Sequence, residues 1–221
     1  MRDHFNRALN DLRVDILKMG DLVADELALA MNALETLDTD LAQQIFETDK
    51  AVNQARYNLE NKCTLLIVTQ QPAARDLRAI IAVLSMIVDL ERMGDQAKGI
   101  AKIIPHLVKY PAHPKPPELK QMGNIAKKML RDSMTAYADD DVALATSVAE
   151  QDNEVDQLYA QTFSQIMTYL ADTQNPDRTE ATYEVLRAAR ELERFADLAT
   201  NLCERVIYIV TGKMDETNIE Q

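Results

Sequence analysis

The side chains best placed for chemistry in this sequence are carboxylates set four residues apart: Glu91 with Asp95, and Glu193 with Asp197. On a helix that spacing stacks two side chains on one face about 6 Å apart, where like charges repel by a few tenths of a kcal/mol. The apolar series Ile80, Leu84, Ile87 runs by steps of three and four into the first pair, and Leu186 and Ala189 lead into the second. Asp49 with Asn53, and Asp152 with Asp156, form matching oxygen-bearing pairs upstream of each. Repulsive pairs placed beside an apolar stripe ask for a compensating charge. Four oxygen ligands from two adjacent helices would make a hard donor set suited to magnesium, manganese or iron, with room for more than one ion. The competing reading is a solvated acidic face neutralised by Arg92 and Arg194. Recurrence of the same acids in both halves brings ligation level with that reading.

Other chemistries find little support. A ferritin-like di-iron oxidase calls for Glu-x-x-His, and His4, His106 and His113 lie far in sequence from these acids, where linker or solvated roles suit them better. No P-loop, Gly-x-Gly-x-x-Gly turn or nucleophile–base pair is present, and Gly94 and Gly99 fall inside a predicted helix. Cys63 and Cys203 stand alone, which fits small core residues in a reducing cytoplasm better than a disulfide or zinc site.

The elements that must position the acids are long helices. Leu9, Leu12, Ile16, Met19, Val23, Leu27, Ala30 and Leu34 mark a first helix over about 4–37. Asp38 or Thr39 caps a second, which runs to about Gln70 before Pro72, and a third covers roughly 74–107. Pro105, Pro111, Pro114, Pro116 and Pro117 mark a stiff connector, in which Lys109 to Lys120 reads as a solvated basic stretch. Three more helices follow, separated by an acidic turn at Asp139-Asp140-Asp141 and a break around Asn175-Pro176-Asp177.

The two halves repeat. Residues 38–53 and 141–156 share Asp38/Asp141, Leu41/Leu144, Ala42/Ala145, Glu47/Glu150, Asp49/Asp152 and Val52/Val155. At an offset of 102, Val83/Val185, Leu84/Leu186, Leu90/Leu192, Glu91/Glu193, Arg92/Arg194 and Asp95/Asp197 match. The expectation is all-α: six long helices in two tandem homologous antiparallel three-helix bundles, 1–108 and 118–221, joined by a proline-rich linker over 109–117.

Composition agrees. Five Gly, seven Pro, no Trp and 5% aromatic residues leave little material for an all-β fold. With 36 acidic against 24 basic residues the net charge is −12, the wrong sign for holding nucleic acid through its phosphates. Met1-Arg2-Asp3-His4-Phe5 does not read as a secretory leader, and the apolar run from Ala79 to Val88 is too short to span a bilayer.

The run Gln70-Gln71-Pro72-Ala73-Ala74-Arg75-Asp76-Leu77-Arg78, then Asp89-Leu90-Glu91-Arg92-Met93-Gly94-Asp95, resembles the PhoU family of phosphate-transport regulators. Asp49-x-x-Val52-Asn53, its echo Asp152-x-x-Val155-Asp156, Glu191-Leu192-Glu193-Arg194-Phe195-Ala196-Asp197 and the closing Cys203-Glu204-Arg205-Val206 extend the resemblance over essentially the whole chain. It implies a cytoplasmic regulatory adaptor rather than an enzyme, acting with the ATPase subunit of the Pst phosphate ABC transporter and a PhoR-type sensor kinase. Such an adaptor damps the phosphate-starvation response, forms a homodimer and meets the membrane only through its partners. The resemblance also implies multinuclear sites for iron, manganese, zinc or magnesium: Asp152, Asp156, Glu193 and Asp197 in the second half, Asp49, Glu91 and Asp95 in the first. Asn53 stands where the family motif has Asp, so the first site is expected to bind more weakly. For Arg78 an ion pair near the turn between helices two and three and a solvated charge are equal expectations. A carboxylate-bridged metalloenzyme or metal-storage bundle is the alternative function, and a plain helical interaction protein the blandest.

Overall fold

A computed structural model describes residues 2–111, 113–172 and 176–213. Its helices are α1 (Arg2–Thr36), α2 (Thr39–Gln70), α3 (Arg75–Leu107), α4 (Pro117–Asp139), α5 (Val142–Glu150), α6 (Asp152–Asp172) and α7 (Pro176–Thr211). No strand occurs among the described residues, and none of these helices is long and apolar enough to cross a membrane. The side chain of His4 and the whole of Asn175 lie outside the described residues.

The repeat is visible in the turns. Leu37 takes a left-handed conformation (φ 56°), and the Asp38 carboxylate then accepts from the backbone N–H of Asp40 and Leu41 at 2.8 and 3.0 Å, capping α2. In the second half Asp140 (φ 54°) is followed by Asp141, whose carboxylate accepts from the Leu144 N–H at 3.0 Å and caps α5. Each cap satisfies N–H groups that an opening helix leaves orphaned.

Where one fifth helix was expected, Gln151 interrupts it. The Gln151 N–H bonds to the Val148 carbonyl and its own carbonyl accepts from Glu154, both at 3.0 Å, so the chain tightens locally to an i→i+3 pattern and α6 opens at Asp152. Pro105, expected to bar the helix, lies inside α3 two residues before its end. So near the terminus it removes one donor without stopping the helix.

The connector is not simply solvated. Lys115 Nζ donates to the carbonyls of Leu34 and Glu35 at 2.8 and 3.0 Å, and Lys120 pairs with Glu35 at 2.7 Å. These cations sit at the C-terminal, partially negative end of α1, whose last carbonyls lack helical partners. His113 packs edge-on to Tyr169, with Nε2 3.3 Å from Thr182 Oγ1, and His106 Nδ1 lies 3.4 Å from Glu180.

α3 and α7 form the middle of the molecule: α3 packs on α1, α2 and α7, and α7 packs on α3, α4, α5 and α6. One continuous core joins both halves, with Ile16, Met19, Ile45, Ile87, Leu90 and Phe195 fully buried. Burial of side chains this size contributes roughly 1.5–3 kcal/mol each. Cys63 and Cys203 are free thiols within this core, and burial pushes both up to about 12, which suits packing and not reactivity.

α1 and α4 also pack together, by reciprocal contacts of repeat-equivalent residues. A β-carbon on Gly20 would stand 2.9 Å from Met134 Cγ, and one on Gly123 would stand 2.6 Å from Met31 Cε. Gly20 with Gly123 and Met31 with Met134 are each 103 residues apart. Each glycine therefore receives the methionine of the other unit, as in a two-fold dimer interface within one chain.

Candidate metal centre

Both predicted acid clusters lie between a central helix and the helix before it. In the first unit Asp49, on α2, is buried, and its Oδ2 accepts from Lys98 Nζ of α3 at 2.8 Å. The same ammonium donates to Asp95 Oδ1 at 2.6 Å. Asn53 Nδ2 donates to the Asp49 backbone carbonyl and to Oδ2, each at 3.0 Å, so it presents hydrogens and not a ligand oxygen. Glu91 is held 2.9 Å from Arg56 Nη1, and Arg56 also bonds Glu60. Each of the three first-unit acids therefore already has a cation from this chain.

A fourth acid completes this cluster, and it was missed at sequence level. Glu26 of α1 is 1% exposed, with both carboxylate oxygens buried and lacking a hydrogen-bond partner. Burial pushes its carboxyl up to about 8, and the negative charges of Asp49 and Asp95 add to the rise while Lys98 opposes it. At that value Glu26 carries its proton near neutrality. Gly94 makes room, since a β-carbon there would lie 3.2 Å from Glu26 Oε2 and 3.3 Å from Val52 Cγ1. The signal was available: Glu26 stands three residues after Val23 and four before Ala30, on the apolar stripe of the first helix. Lys98 was equally legible as the residue three after Asp95.

The second unit arranges equivalent acids differently. Asp152 is buried at the start of α6, and Asp156 follows one turn later on its exposed side. On α7, Glu193 Oε1 meets Arg190 Nη1 at 2.5 Å, while Oε2 is buried with no hydrogen-bond partner. Burial raises the Glu193 carboxyl above the ordinary range, and the charges of Asp197 and then Asp156 push the same way against Arg190 and Arg194. Asp197 is likewise raised, first by burial and then by Asp156. Among the described residues no ion pair forms at Asp156 or Asp197, and Thr200, the equivalent of Lys98 at an offset of 102, places a buried hydroxyl without a partner where the first unit has its ammonium. Glu193 and Asp197 thus feel neighbouring negative charge as well as burial, and both effects disfavour their ionised forms.

Among the described residues no three His, Cys, Asp or Glu side chains close on a common point as a formed metal shell. In the second unit Glu193 Oε2 is an orphaned, buried carboxylate oxygen, the type of donor a hard divalent cation takes. In the first unit Lys98 and Arg56 already pair with Asp49, Asp95 and Glu91.

Arginines play other parts than expected. Arg92 approaches Asp89 at 3.8 Å rather than Glu91. Arg78 neither pairs with an acid at the turn nor stands free in solvent: its guanidinium lies 5.7 Å from the Tyr208 ring centroid, beneath Gly212 at the end of α7. That glycine has φ 76° and donates its N–H to the Tyr208 carbonyl at 2.9 Å, a left-handed helix end that also needs the missing side chain to clear Arg78. Where α3 crosses α7, a β-carbon on Gly99 would strike Glu191 Cδ at 2.7 Å. Glu191 and Asp89, 102 residues apart, are both raised by burial within this contact.

Comparison with known proteins agrees with this architecture. The model of the PhoU domain matches twice, at residues 16–104 and 119–206. The chain is 36% identical over 220 residues to the phosphate-specific transport system accessory protein PhoU homolog of Streptococcus pneumoniae, covering 99% of this chain and 100% of that one. It is 32% identical over 209 residues to the phosphate-specific transport system accessory protein PhoU of Escherichia coli, covering 95% of this chain and 86% of that one. The crystal structure of PhoU from Pseudomonas aeruginosa superposes with a TM-score of 0.88 at 36% identity, covering 95% of this chain and 100% of the other. That of the phosphate transport system regulatory protein PhoU from Streptococcus pneumoniae superposes with a TM-score of 0.89 at 32% identity, covering 96% and 99%. With two copies of the domain and end-to-end similarity to these proteins, the chain belongs to the PhoU family.

Proposed function

We propose that this protein is a cytoplasmic regulatory adaptor of phosphate uptake and not an enzyme. It works with the ATPase subunit of a Pst-type phosphate transporter and a PhoR-type sensor kinase, and it holds the phosphate-starvation response down while phosphate is plentiful. The observation that carries this reading is end-to-end similarity to proteins named as accessory and regulatory proteins of phosphate transport. Pairing into a homodimer belongs to the same proposal, and the solution mass of the purified chain tests it.

The physical contribution of the molecule is a surface whose charge can be altered. Asp152, Asp156, Glu193 and Asp197 would hold iron, manganese, zinc or magnesium, and a bound cation would supply positive charge beside Glu193 and Asp197, whose ionised forms burial and neighbouring acids now disfavour. An acidic face repels acidic partners until that charge is balanced. Binding of the purified chain to the transporter ATPase and to the kinase cytoplasmic region, measured with manganese and with a chelator, tests the reading. Binding lost on chelation is expected; binding to neither partner under either condition overturns the adaptor role, and undiminished binding with chelator overturns the metal switch. Turnover of Fe(II) and oxygen would favour the metalloenzyme instead.

A further inference from the structure

We propose that the Lys98 ammonium is the built-in cation of the first three-helix unit, so that divalent metal is excluded there and confined to the second. For the second unit this rests on the metal reading above; for the first it does not. Lys98 Nζ lies 2.8 Å from Asp49 on α2 and 2.6 Å from Asp95 on α3, bridging the two helices as a shared metal ion would. The Asn53 amide turns its N–H toward the same Asp49 oxygen, at 3.0 Å, and hydrogens repel an approaching cation. Arg56 occupies Glu91 at 2.9 Å. A metal would have to expel an ammonium tethered within the same chain, whose effective concentration is that of an intramolecular ligand. The contacts it gives up are charge-assisted and partly buried, with the Lys98 side chain 18% and that of Asp49 10% exposed.

In the second unit Thr200 stands in place of Lys98, so no ammonium bridges the two helices; among the described residues Arg190 holds Glu193 Oε1, and Asp156 and Asp197 form no ion pair. Conversely, replacement of Lys98 by threonine would leave Asp49 and Asp95 beside the buried, unpartnered carboxyl of Glu26, which a bound cation would deprotonate, a three-helix oxygen set that the ammonium now closes.

The test loads the full-length chain, stripped with chelator, with manganese chloride and measures bound manganese and Tm for wild type, Asp49→Asn, Asp156→Asn and Lys98→Thr. Expected is manganese lost in Asp156→Asn and unchanged in Asp49→Asn, with Lys98→Thr gaining about one ion per chain and a manganese-dependent rise in Tm beyond that of wild type. Manganese lost in Asp49→Asn but kept in Asp156→Asn overturns the proposal, as does a folded Lys98→Thr that gains none. If Lys98→Thr does not fold, wild type against Asp49→Asn still decides. Wild type without manganese, beside a Lys98→Thr that binds it, sinks the metal reading of the second unit and keeps the role of Lys98.

Discussion

In the first unit Asp49 and Asp95 share one lysine and Glu91 holds an arginine, whereas in the second Asp156, Glu193 and Asp197 have between them a single short contact, from Arg190 to Glu193. Both clusters descend from the same helix positions, 102 or 103 residues apart. The exchange of Lys98 for Thr200 removes the one ammonium that bridges the acids of the two helices. The duplicated acids are therefore not matched by duplicated ion pairs, because the cations need not be repeated with the acids.

The largest effect expected from this comparison follows Lys98→Met, which leaves Asp49 and Asp95 facing each other beside Glu26 with no counter-ion. Removing one partner of a largely buried pair costs about 3 kcal/mol. The equivalent Thr200→Val only removes an unbonded hydroxyl and should leave stability within about 1 kcal/mol of wild type, or raise it. Urea unfolding in chelator measures both, and equal losses would break the comparison.

An effect smaller per pH unit concerns acidity. Glu26 has its carboxyl at about 8 in the folded protein against 4.5 ordinarily, so between those values the folded state keeps a proton that the unfolded chain has released. Its contribution to stability is therefore complete below about 4.5, declines as pH rises toward 8, and is level above. The slope is at most about 1.4 kcal/mol per pH unit. In Glu26→Gln that part of the slope should vanish, which unfolding curves across this range will show; a slope equal to that of wild type would mean the carboxyl is ionised and solvated at neutrality.

The smallest effect is one of sign. In chelator, Asp156→Asn relieves the repulsion that raises Glu193 and Asp197 and should stabilise by a few tenths of a kcal/mol, about the size of one exposed like-charge pair. Asp49→Asn, by contrast, breaks the Lys98 bridge and should destabilise. Two changes of Tm in the same direction would remove the distinction between the units.

Sequence by itself determined the helical plan. Periodicity of three and four requires long amphipathic helices, the Asp38 cap and the acidic turn at Asp139-Asp140-Asp141 mark where two of them begin, and the repeat at 102 to 103 requires two like units. It also determined which carboxylates share a helix face, since i, i+4 spacing fixes that locally. Tertiary structure decided the rest, because charge balance depends on what arrives from other helices. Arg56 comes to Glu91 from α2, Glu26 comes to the Asp49 cluster from α1, and Lys98 reaches across from α3 to Asp49, a contact 49 residues apart in sequence. Nor does periodicity report the i→i+3 tightening at Gln151, the capping of α1 by Lys115, or the seating of Gly20 and Gly123 against methionines of opposite units. Spacing along one helix fixes a direction, and only packing between helices decides what a side chain meets there.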